Sequence, residues 1–175
     1  MLKKILIVIV VAIAGVFALA ATKPDTFHFE RAAMINAPPD KVGSFVNDFH
    51  RWQAWSPWEK LDPNMKRTYS GPDSGVGATY AWEGNSDVGS GRMQITNATA
   101  TQVDIDLDFM APMATSNKTR FMLTPAANGT SVVWSMDGPM PYMSKLMTVF
   151  VSMETLLAKD FETGLANLKS AAETG

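Results

Sequence analysis

Three carboxylates, Asp104, Asp106 and Asp108, stand at alternate positions, the spacing with which an EF-hand calcium loop opens. Such a loop needs glycine at its sixth position and glutamate at its twelfth, where this chain has Phe109 and Thr115. Val103, Ile105, Leu107 and Phe109 interleave with the acids, so the pattern reads as a strand with one wet and one buried face. There is no cysteine, and His28 and His50 show no metal-binding spacing. No metal and no cofactor is expected. His50 lies near Asp48 and Ser56, but closeness in sequence is not the geometry of a proton relay.

Glu83 and Arg92 are the other candidates for acid–base work, together with His50, because they fall on strands expected to face each other across a hairpin. If Tyr80 and Trp82 point inward, the alternation turns Glu83 outward, and a surface ion pair is the default. A bulge after Trp82 would instead turn Glu83 into a pocket and raise its pKa. The aromatic and methionine side chains suggest a different activity. Met110, Met113, Met136, Met140, Met143, Met147 and Met153 crowd the C-terminal third. Thioethers fill irregular space and re-pack around different ligands. Trp55, Trp58, Tyr80, Trp82, Phe109, Trp134, Met136, Met147 and Phe150 are the expected lining of an apolar ligand cavity.

Positioning these groups requires a sheet and a helix. Thr26–Ile35 reads as a first strand. Ala37-Pro38-Pro39-Asp40 then opens a short helix with Val42, Phe45, Val46 and Phe49 on one face. A tryptophan-dense turn ends at Pro57. Strands at hairpin spacing follow over 65–70, 78–83, 91–99, 103–109, 118–125 and 130–136, the last two joined at Asn128-Gly129. From Tyr142 to Glu173, Leu146, Phe150, Met153, Leu157, Phe161, Leu165 and Leu168 recur at steps of three and four. That spacing predicts one helix of roughly 45 Å, bent at most at Gly164, whose single apolar stripe needs a concave partner. The fold class is α+β: about seven antiparallel strands curved around the C-terminal helix.

Apolar content of 46% with 18% charged residues belongs to a folded chain, and a net charge of −2 argues against nucleic acid as a partner. Residues 1–24 stand apart from the 25–175 domain. Lys3 and Lys4 precede an unbroken apolar run from Ile5 to Ala21, about 26 Å long as a helix. As an uncleaved anchor it would keep the lysines in the cytoplasm and hold the domain at the outer face of the cell membrane. As a signal peptide it would be cut after Ala18-Leu19-Ala20, releasing the domain.

Ile35-Asn36-Ala37-Pro38-Pro39-Asp40-Lys41-Val42, the Asp48-Phe49…Trp52…Trp55 segment, the stretch Ser74–Trp82, Thr130–Trp134 and the terminal Gly164–Lys169 together resemble the SRPBCC superfamily of START-related helix-grip proteins. Within it they resemble the bacterial polyketide cyclase/dehydrase-like group, over about residues 26–172. The resemblance implies a seven-stranded sheet gripping the C-terminal helix around a hydrophobic cavity, with a lipid or other apolar small molecule as ligand. It carries over no catalytic set. Three functions stay open: a non-catalytic binding module, a cyclase/dehydrase-type enzyme using a pocket acid or base, and a protein-interaction module.

Overall fold

A computed structural model describes residues 1–174. Helix α1 spans Leu2–Ala21, strand β1 Thr26–Ile35 and helix α2 Pro39–Val46. Two short 3-10 turns, Phe49–Ala54 and Pro57–Lys60, carry Trp52 and Trp58, with Trp55 between them. Strands β2 (Lys66–Ser70), β3 (Thr79–Glu83), β4 (Ser90–Ala98), β5 (Gln102–Ala111), β6 (Thr115–Ala126) and β7 (Gly129–Pro139) follow, then helices α3 (Tyr142–Met147) and α4 (Met153–Thr174). The seven strands form one antiparallel sheet in the order β1-β7-β6-β5-β4-β3-β2. The α+β helix-grip architecture is therefore present.

Alternation builds the sheet as expected. On β5, Val103, Ile105 and Leu107 are buried while Asp104, Asp106 and Asp108 turn the other way. The carboxylates meet cations across the next strand: Asp104 pairs with Arg120 at 2.5 Å and Asp106 with Lys118 at 3.7 Å. Such cross-strand pairs each contribute roughly 0.2–1 kcal/mol. The turn at Asn128-Gly129 joins β6 to β7, and Gly129 takes φ +139°, where a Cβ would stand 2.1 Å from the Ile35 carbonyl oxygen. Only glycine fits there.

One expectation fails: the C-terminal helix is two helices. α3 ends at Met147, and Thr148–Ser152 turns the chain before α4 begins. Thr148, Val149 and Val151 are β-branched and weak helix formers. Ser152 then caps the second helix, its Oγ accepting the Thr155 N–H at 3.1 Å. The break falls there and not at Gly164, whose missing side chain lets Trp134 approach; a Cβ would lie 2.7 Å from its ring. Phe161, Leu165, Leu168 and Ala172 are the buried face of α4.

Candidate functional site

Strand registers define rows across the concave face of the sheet. One row runs Arg31–Trp134–Phe121–Val103, the next Phe29–Met136–Thr119–Ile105–Ile95, and the next Phe27–Gly138–Asn117–Leu107–Met93–Tyr80. α4 lies along β1 and seals the first two rows. Trp134 stacks on Phe161 with centroids 4.1 Å apart and on Phe121 at 5.0 Å, and meets Trp55 and Trp58 edge-on. Its indole N–H donates to Thr119 Oγ1 at 2.8 Å. This end of the grip is filled by rings.

The third row is where the face changes character. Asn117 is buried on β6 between Leu107 and Gly138, and its Oδ1 accepts no hydrogen bond among the described residues. The absent side chain at Gly138 makes the room that Oδ1 uses; a Cβ there would stand 2.2 Å from it. Its amide nitrogen faces the Met136 sulfur at 4.0 Å. Around this row Phe27, Trp58, Phe109 and Leu157 are only partly buried, and Trp82 meets Phe109 edge-on at 5.9 Å. This mouth of the grip is thus apolar, its row buried and edged by half-buried side chains, with a single orphaned acceptor among the described residues.

Titratable groups cluster elsewhere. Glu59, in the second 3-10 turn, is buried; its Oε2 accepts from Arg67 Nε at 2.7 Å and its Oε1 from the Tyr80 hydroxyl at 2.6 Å. Arg67 also donates to the carbonyls of Met65 and Glu59. Tyr69 stacks on Tyr80 at 5.2 Å, and His50 stacks on Tyr69 at 4.2 Å. The network fastens the tryptophan-rich segment to the β2–β3 edge. Burial, then the hydrogen bond to Glu59 and its charge, push the Tyr80 phenol far above its ordinary 10.0. The unfolded chain therefore loses this proton first. Tyr80 contributes stability that is complete below pH 10 and lost as the pH climbs beyond it. Thermal unfolding followed from pH 8 to 11 should show that decline, and Tyr80→Phe should remove the Tyr80 share of it.

The catalytic candidates are not brought together. Glu83 is exposed and reaches Lys66 at 3.5 Å, while its register partner on β4 is Ser90. Arg92 stands opposite Ala81, and its Nη2 donates to Gln94 at 3.4 Å. The ion pair expected across the β3–β4 hairpin is therefore made with β2 instead, and no bulge turns Glu83 inward. His50 lies at the rim, its Nδ1 3.1 Å from Asp48 Oδ1, over a depression of about 170 Å³ that Phe49, Tyr69, Asp73 and Thr79 also line. A second, open cleft of about 510 Å³ lies between Glu83–Ser90 and Ala111-Pro112.

Among the expected lining residues, Trp55, Tyr80, Trp82, Trp134 and Met136 are buried in the core, and Trp58 and Phe109 are half-buried at the mouth. Met147 and Phe150 differ: they are 53% and 74% exposed and point away from the sheet, because the chain turns between α3 and α4. Sequence reasoning missed Asn117, Glu59 and Arg67. For Arg67 a signal was present, since Met65, Arg67 and Tyr69 alternate onto one face. For Asn117 the signal was a polar residue at an inward position of β6.

Comparison with known proteins agrees with this geometry. Residues 26–173 match the family described as polyketide cyclase / dehydrase and lipid transport. No curated protein sequence matches the chain. A crystal structure of a protein from Chromobacterium violaceum is 16% identical, with TM-score 0.59, over 87% of this chain and 100% of the other. The di-domain ARO/CYC StfQ of the steffimycin biosynthetic pathway is 10% identical, TM-score 0.60, over 85% of this chain and 51% of that one. Ara h 8.0201 is 14% identical, TM-score 0.58, over 86% and 98%. At such identities the structures speak for the fold alone. With its sheet, its gripped α4 and a family match spanning nearly all of both, the chain belongs to the polyketide cyclase/dehydrase and lipid transport family of the SRPBCC superfamily.

Proposed function

We propose that this chain is a membrane-tethered binding domain that holds a lipid or other apolar small molecule at the mouth of its helix grip, without transforming it. The observation that carries the reading is the third row of the sheet: an apolar face edged by half-buried side chains, whose one unsatisfied polar atom among the described residues is Asn117 Oδ1. A buried acceptor without a donor costs about 1–3 kcal/mol. A ligand hydroxyl or amide would satisfy it while the rest of the ligand lies on Trp58, Trp82, Phe109 and Leu157. Binding is favoured over acid–base catalysis because Glu83, Arg92 and His50 lie outside the grip, and both oxygens of Glu59 are held by Arg67 and Tyr80. The tether is α1, a 20-residue apolar helix of mean hydropathy 2.8 whose side chains are almost all exposed.

Titrating the full-length chain in nanodiscs with a brominated long-chain alcohol, and reading tryptophan fluorescence, tests the proposal. Saturable quenching is expected. Asn117→Leu should leave the protein at least as stable and weaken the alcohol's affinity roughly tenfold, the worth of one hydrogen bond. Linear, unsaturable quenching that is identical in both proteins would show partition into lipid only and remove the reading.

A further inference from the structure

Helix α3 is built inside out. Met143 and Met147 stand four residues apart on one stripe of the helix, Phe150 follows on the turn after it, and the three face solvent at 64%, 53% and 74% exposure. The side turned to the protein carries Lys145, and Thr148 just past the helix end is buried with it. Lys145 Nζ reaches Asp25 Oδ1 at 2.5 Å, and the Asp25 carbonyl accepts the Met140 N–H at 2.7 Å. A helix packed on a water-exposed surface has the opposite polarity.

The same end of the sheet carries the β5–β6 hairpin, where Met110 and Met113 are 60% and 45% exposed. Helix α1 arrives there too. The Tyr142 hydroxyl donates to the Phe17 carbonyl at 2.9 Å, and the two rings lie 6.2 Å apart. Phe17 is one turn before the end of α1, so the start of α3 is level with the last apolar turn of that helix rather than beyond it.

We infer that the outward residues of α3 and its following turn (Met143, Met147, Phe150) and the Met110/Met113 hairpin tip form a membrane-docking rim that sinks into the lipid interface beside α1. This rests on the tethered reading of α1 and deepens it. Tyr142 takes the interfacial position that tyrosines favour, and the rim extends the apolar surface of α1 sideways. Lys145–Asp25 and Tyr142–Phe17 fix the tilt of the domain on its anchor. The rim has no basic cluster, and Glu83 and Asp87 lie on the neighbouring β3–β4 hairpin. Docking is therefore apolar, and neutral phosphatidylcholine suffices.

The chain contains no cysteine, which makes single-site labelling direct. Nitroxides would be attached to Phe150→Cys, Met113→Cys, Val10→Cys in the anchor, and Ala127→Cys at the opposite end of the sheet. Each full-length protein is reconstituted in phosphatidylcholine vesicles and relaxed by oxygen or by a water-soluble nickel chelate. Oxygen should dominate at 150, 113 and 10, and nickel at 127. Nickel dominating at 150 and 113 while oxygen dominates at 10 would overturn the docking rim and leave the tether standing. Shielding of 150 and 113 from both reagents would mean a protein partner covers the face, which also overturns it. Nickel dominating at 10 would defeat the tether itself, and the rim with it.

Discussion

Trp134→Ala is expected to cost about 3–5 kcal/mol, the range for emptying a buried aromatic site. Trp134 is 1% exposed and touches every element that closes the grip: Phe161 on α4, Phe121 on β6, and Trp55 and Trp58 on the turns between α2 and β2. Removing it also leaves Thr119 Oγ1 without the indole donor. Gly164 is the point of closest approach of α4, where an added Cβ would stand 2.7 Å from the Trp134 ring and 3.3 Å from Pro57. At roughly 2–4 °C per kcal/mol for a chain of this size, the unfolding midpoint should fall by about 6–20 °C. Gly164→Leu tests the same contact from the other side by overfilling it, with a loss of about 1–3 kcal/mol or more. A shift of only 1–2 °C for Trp134→Ala would mean that α4 is not held as described.

Arg67→Met is the second large effect, about 3 kcal/mol or somewhat more. It leaves the Glu59 carboxylate, whose side chain is 5% exposed, facing Tyr80 without its cation. The cost is that of an uncompensated buried charge, not the worth of the ion pair. Adding Glu59→Gln to Arg67→Met should therefore restore most of the loss, because a neutral amide needs no cation. Thermal unfolding of the two single variants and the double gives the coupling directly. Additive losses would contradict the assignment.

The parts of the fold legible in the sequence are those whose signal is local. Alternation on Val103–Phe109 located β5, and Asn128-Gly129 located the β6–β7 turn. The parity of Tyr80 and Trp82 turned Glu83 outward, as found. The three-and-four spacing of the C-terminal stripe ran straight through Thr148–Ser152, however, since apolar periodicity does not register where a helix is capped. Ser152 with its N-cap bond and the β-branched run before it were the signals that outrank the spacing there. Met147 and Phe150 were misplaced for that reason. The Glu59–Arg67–Tyr80 network and the Trp134 stack were illegible in another way. Their contacting members are between 8 (Glu59 and Arg67) and 79 residues apart (Trp55 and Trp134) and meet only through the sheet register and the packing of α4.

The central claim is that the mouth of the grip takes up an apolar molecule through Asn117. The most direct measurement is native mass spectrometry of the full-length protein purified from its host cells, wild type beside Asn117→Leu. The wild type should carry the added mass of an apolar compound, and Asn117→Leu should carry it at much lower occupancy. A bare protein mass in both, or equal occupancy in both, would contradict the account.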